Sequence, residues 1–197
     1  MFEDDKPSPK FHETVEAAVS AALKLAEIKG WQEVTLYDVA QEAGLTLAEL
    51  HVFFEDKFDI LASLGRKIDR ETLARMSPYD GEISQRDALF DIFMDRFEVL
   101  NEHREGVTAI LRSFKFDPKQ AVISLPHLCR SISWMLEAVQ LNTSGLRGAV
   151  RVSAMTGLYL KVLRVWMGDD SADMGQTMAA LDKELSRAEK LATSFGI

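Results

Sequence analysis

The chain has 197 residues, 47% of them hydrophobic, with 31 Asp and Glu against 23 Lys and Arg, a formal charge of −8. That length allows one large domain or two small ones with a real core, and the acidic balance disfavours non-specific attachment to nucleic acid or anionic lipid. No run of about eighteen apolar residues offers a membrane span, and the lone cysteine, Cys129, excludes a disulfide framework and a cysteine metal site, so a reducing cytoplasm is the expected location.

The opening MFEDDKPSPKFHE is acidic and prolyl, unlike a targeting peptide, and residues 1–12 are expected to form a disordered arm. Helical periodicity then dominates, and no alternating strand pattern appears. A first helix is expected from about Thr14 to Lys29, stopping at Gly30. Thr35 with Asp38 marks the start of a second, whose inner face carries Val39 and Ala40. Ala43-Gly44 ends it, Leu45 turns back to the core, and Thr46 with Glu49 makes a capping box for a third helix that buries Leu50, Phe53 and Phe54. Two short helices, a small residue where they touch and a glycine at the bend describe a helix-turn-helix.

A longer helix is expected from Lys57 to about Met76. The turn cluster Ser77-Pro78-Tyr79-Asp80-Gly81 then separates a domain over 13–76 from one over 82–197. Ser84 caps a helix to about Glu102 with an apolar stripe of Phe90, Phe93, Met94, Phe97 and Leu100. A short helix covers about Glu105 to Lys115. Asp117-Pro118 begins the next, which Pro126 is expected to kink or split before it ends near Leu141. A helix from about Leu146 to Trp166 follows, and Gly168 to Ser171 ends it and caps the last, to about Thr193.

Charge runs against the helix-turn-helix reading. Between Thr46 and Phe54 there is no Lys or Arg, and Glu49 is the only charge. Residues 1–76 carry nine Lys and Arg against fifteen Asp and Glu, and the remainder fourteen against sixteen, so the DNA-facing end is the more acidic one. Specific DNA binders commonly neutralise about 6–10 phosphates, and bases are read chiefly by Arg, Lys, Asn and Gln.

The segment from Ala21 to Leu61, with AALKLAEIKGW, the Thr35–Ala43 helix and LHVFFEDKFDIL, resembles the N-terminal domain of TetR-family regulators. Phe54, Lys57 and Leu61 match that pattern, while His51 and Phe53 depart from it at positions that usually help bind phosphate. The resemblance implies an all-helical fold of nine or ten helices, a homodimer and a C-terminal ligand pocket. It implies that Thr35, Thr46, Leu47, Ala48, His51, Phe53 and Lys57 face duplex DNA. Phe90, Phe93, Met94, Phe97, Trp134, Met135, Met155 and Trp166 are the candidate lining of a pocket for an apolar small molecule or lipid.

The last helix repeats Met174, Met178, Leu181, Leu185, Ala188, Ala192 and Phe195 in steps of four and three, and the helix before it offers the small residues Ser153, Ala154 and Gly157. Such a seam suits a four-helix interface between two subunits; packing within one subunit is the other reading. WMGDDSADMGQTMAALDKELSRAEKLA, Trp166 to Ala192, is also similar to the closing segment of the Coq-nine proteins, accessory proteins of ubiquinone biosynthesis. That likeness implies a TetR-like fold that holds an isoprenoid or acyl lipid without binding DNA and assists enzymes, with the final helix as a membrane or partner surface. His12, His51, His103 and His127 lack metal spacing, and no nucleophile elbow, phosphate-cradling glycine loop or zinc signature is present. No cofactor and no catalysis are expected.

Overall fold

The computed structural model describes residues 9–195, and within them the side chains of 11–117 and 119–190. The described residues form nine α-helices and no strand: α1 (Pro9–Lys29), α2 (Leu36–Glu42), α3 (Leu47–His51), α4 (Lys57–Arg75), α5 (Gln85–Asn101), α6 (Arg104–Ser113), α7 (Pro118–Ala138), α8 (Gly145–Trp166) and α9 (Gly175–Phe195), with a single 3-10 turn at Trp31–Glu33. The first helix begins earlier than its apolar pattern announces, so residues 9–12 of the expected arm are helical. Residues 1–8 lie outside the described residues.

Two compact units emerge. The first comprises the chain up to Gly65 together with His103–Ser124, and the second Arg66–Glu102 with Leu125 onward. The turn cluster at 77–81 thus joins α4 to α5 inside the second unit.

In the first unit α1 packs on α6 and α2. Ala18, Val19, Ala22 and Ala26 give α1 a small, buried inner face. Gly106 completes the fit, because a Cβ there would meet the Leu23 carbonyl oxygen at 2.7 Å. The α2–α3 bend is set by local chemistry. The Leu45 N–H donates to the Ala40 carbonyl at 2.8 Å and the Gly44 N–H to that of Gln41 at 3.2 Å, with Gly44 at φ 69, a Schellman closure that wants glycine. Val39 and Ala40 are fully buried, as are Leu50 and Phe54 across the bend.

In the second unit α8 and α5 both pack on α9. The α7 helix runs through Pro126 without a break, against expectation. Proline removes one hydrogen bond and frees the carbonyl four residues back, here that of Val122, and both residues are exposed, so water can replace the lost partner. The α8–α9 turn is organised by Asp169. Its buried carboxylate accepts from the Thr177 N–H and hydroxyl, each at 2.8 Å, and from the Ser171 N–H and hydroxyl. These bonds hold the carboxyl far below its ordinary value despite burial. The Asp-Asp-Ser…Thr pattern thus has a structural purpose, to start α9.

On the α9 seam, Met174, Leu181 and Leu185 are buried within their own subunit. Met178 alone of the four proposed α9 interface residues is exposed, and Ser153, Ala154 and Gly157 of α8 are exposed as well.

Candidate nucleic-acid interface and helical core

The helix-turn-helix presents α3 to solvent, with Leu47 48% exposed and Val52 75% exposed. Ala48 and His51 are exposed beside them. Leu36 from α2, Leu47, Ala48, Leu50 and His51 from α3, and Phe54 line an open, almost wholly apolar hollow of about 340 Å³. This is the surface that would meet a groove.

The other expected DNA-facing residues are engaged in holding the motif together. Thr46 accepts from the Glu49 N–H at 3.2 Å, and its own hydroxyl and N–H donate to the Glu49 carboxylate at 2.8 Å each. Thr35 and Asp38 repeat the arrangement at 2.6–3.1 Å. Both hydroxyl protons therefore point at carboxylates rather than outward. Backbone and hydroxyl bonds from Thr46 hold the Glu49 carboxyl below its ordinary value, so it remains an anion at the start of the reading helix. Phe53 is half-buried, its ring edge-on to Phe11 at 5.1 Å.

Lys57 turns inward. Its ammonium donates to the carbonyls of Trp31, at 2.8 Å, and of Val34, and lies 4.6 Å from the Trp31 ring centroid. Desolvation pushes its pKa down. The two lysines of α1 nearest α2 are paired as well, Lys29 with Asp38 at 2.6 Å and Lys24 with Glu42. Lys24 and Lys29 are thus paired with this head's own acids, and Lys57 keeps its charge but spends its donors on backbone carbonyls.

The aromatic stripe of α5 builds a core in the second unit. Phe93, Phe97, Met135 and Trp166 are fully buried, and Met94 and Met155 nearly so. Phe97 stacks on Tyr159 at 5.2 Å, with Phe93 at 5.7 Å from the same ring and Trp166 at 6.4 Å from Phe97. Phe90 is half-buried beneath the Arg86 guanidinium at 5.9 Å. Trp134 departs from the expected lining: it is 59% exposed and faces water.

A polar cluster inside this core escaped sequence reading. Arg96, fully buried, donates from Nε to the Tyr159 hydroxyl at 3.1 Å and pairs with Asp69. Ser131 donates to the other Asp69 oxygen at 2.7 Å. Four helices, α4, α5, α7 and α8, meet through these four side chains. Burial pushes the Tyr159 phenol up, so it stays neutral, and burial alone would push Arg96 down, but Tyr159 and Asp69 more than offset it. One signal was available: Leu89, Ile92, Phe93, Phe97 and Leu100 mark the inward register of α5, and Arg96 falls on it.

Comparison with known proteins bears on the fold. No family model matches the chain, and no curated protein matches it. Solved structures do. A TetR transcriptional regulator from Nitrosomonas europaea ATCC 19718 superposes with TM-score 0.71 at 22% identity, covering 89% of this chain and 98% of that one. One from Rhodococcus sp. RHA1 gives 0.60 at 18%, covering 89% and 97%. At identities this low the likeness speaks of architecture: the chain adopts the all-helical fold of TetR-type transcriptional regulators.

Proposed function

We propose that the chain is a TetR-type one-component regulator that docks its α3 helix on duplex DNA with few phosphate contacts and reads bases by apolar contact. The observation that supports this reading is an intact motif with an exposed reading helix. Both caps and the Schellman bend are in place, and Leu47, Ala48 and His51 stand clear around an apolar hollow. Apolar side chains discriminate thymine by its 5-methyl group. The remaining recognition elements are His51 and, once their boxes open, Thr35 and Thr46, with Phe53 and Lys57 as supports. An apolar small molecule or lipid in the Phe93–Phe97–Met135–Met155–Trp166 core would be the signal. The exposed Ser153, Ala154, Gly157 and Met178 face would be the homodimer contact.

Fluorescence anisotropy on duplex DNA at about 50 mM salt, where phosphate contacts weigh most, tests it. Weak binding, a shallow salt slope and loss of affinity when uracil replaces thymine are expected. No shift at micromolar protein would sink the regulator.

A specific observation favours a second reading, a lipid- or isoprenoid-binding accessory protein of the Coq-nine kind that has no DNA role. The paired cations and the anionic Glu49 at α3 are what a reading head released from DNA could carry. Mass spectrometry of extracts from the purified protein separates the two. A preparation with no lipid, and none taken up from added isoprenoids, rules this second reading out.

A further inference from the structure

We infer that the corner where α6 ends and α7 begins, from Arg112 to Ile123, is a docking surface for an anionic lipid bilayer. Phe116 is 78% exposed and Val122 70%, with Ile123 also at the surface. Single exposed apolar side chains are ordinary, but these three fall within eight consecutive positions. Arg112, Lys115 and Lys119 are exposed among them, and none has a carboxylate partner among the described residues. Lys24, Lys29, Arg75 and Arg86, by contrast, are all paired.

The local charge is the reverse of the chain's. Three cations stand against one acid between Arg112 and Ile123, in a protein of net −8. The one acid, Asp117, is occupied: its carboxylate accepts from the Gln120 N–H at 3.1 Å at the start of α7. Lys119, Val122 and Ile123 are spaced i, i+3, i+4 and so share one face of that helix. Lys115 and Phe116 lie in the turn just before it.

Large apolar side chains interleaved with unpaired Lys and Arg match the boundary between headgroups and acyl chains. The apolar groups enter the boundary, and the cations reach back to lipid phosphates. A duplex nucleic acid would use the cations and leave Val122 and Ile123 in water. The negative charge of the rest of the chain is screened beyond about 8–10 Å, so attraction is confined to this corner and the docking is oriented. None of this depends on whether α3 binds DNA.

The test is co-sedimentation of the full chain with vesicles of phosphatidylcholine, with and without phosphatidylglycerol. Binding is expected to the anionic vesicles alone and to be lost at high salt. Lys115→Gln with Lys119→Gln should weaken it about twenty-five-fold, at about five-fold per charge, and Phe116→Ser with Val122→Ser should weaken it independently. All four positions are exposed, and circular dichroism verifies the fold of each variant. Absence of wild-type binding to phosphatidylglycerol vesicles overturns the inference. So does binding by both variants as tight as that of the unaltered chain, which would place the contact elsewhere, or retention of the chain only by duplex DNA or an acidic peptide.

Discussion

Lys57 and Arg96 are both cations drawn off the surface, one in each compact unit, and they are compensated in different currencies. Lys57 is partly buried and donates hydrogen bonds to two backbone carbonyls, keeping a charge with no carboxylate at its amino group. Arg96 is wholly buried and meets a carboxylate and a phenol. The first arrangement ties one helix start to one turn. The second ties four helices together, and it sets two interior charges against each other. The contrast teaches that removing the cation should do unequal damage, because only at Arg96 does a partner charge stay behind.

The largest expected effect is therefore at Arg96. Arg96→Met strands the Asp69 carboxylate and should cost about 3–5 kcal/mol, as breaking buried pairs does. Pairing it with Asp69→Leu should recover much of that loss, since apolar substitution of both partners is often neutral. Urea unfolding of the two variants measures it, and equal destabilisation by single and double variant would show that the charge is not the cause. Lys57→Met comes next, at about 1–2 kcal/mol, because the Val34 carbonyl loses its Lys57 donor while that of Trp31 keeps only the Val34 N–H at 3.3 Å, read from unfolding of the first unit.

Thr46→Ala should cost about 1 kcal/mol as a lost cap. The smallest effect concerns pH. Glu49 and Asp38 both have carboxyls held below their ordinary values by their own caps and, for Asp38, first by Lys29. A depressed folded pKa means stability that is present above the ordinary carboxylate value and is lost as pH falls through the folded one. Helicity in α2 and α3 should weaken in acid, and Thr46→Ala should blunt that dependence, a point amide exchange can check.

What could be read in advance divides along the same line. The caps Thr35–Asp38 and Thr46–Glu49 and the bend at Gly44 were legible because each bond spans a few residues and the residue types announce the geometry. The Asp169 turn was legible in outline for the same reason. The inward turn of Lys57 was not, because its acceptors are carbonyls 23 and 26 positions away, and carbonyls carry no sequence signature. Arg96 reaches Asp69 and Tyr159 across 27 and 63 positions, separations at which one sequence does not show which side chains meet. The seam of α9 displayed its period but not its partner. A stripe of Met174, Leu181 and Leu185 looks alike whether it faces its own core or a second chain.

The three tryptophans have a practical consequence. Trp31 lies buried in the first unit beneath the Lys57 ammonium, Trp166 is buried in the second, and Trp134 stands in water. Single-tryptophan variants would therefore carry three optical reporters: one for each interior, whose emission should shift to the red as its own unit opens, and one accessible to quencher from the outset. With them, melting of the reading head and melting of the aromatic core become separately visible colours in one protein.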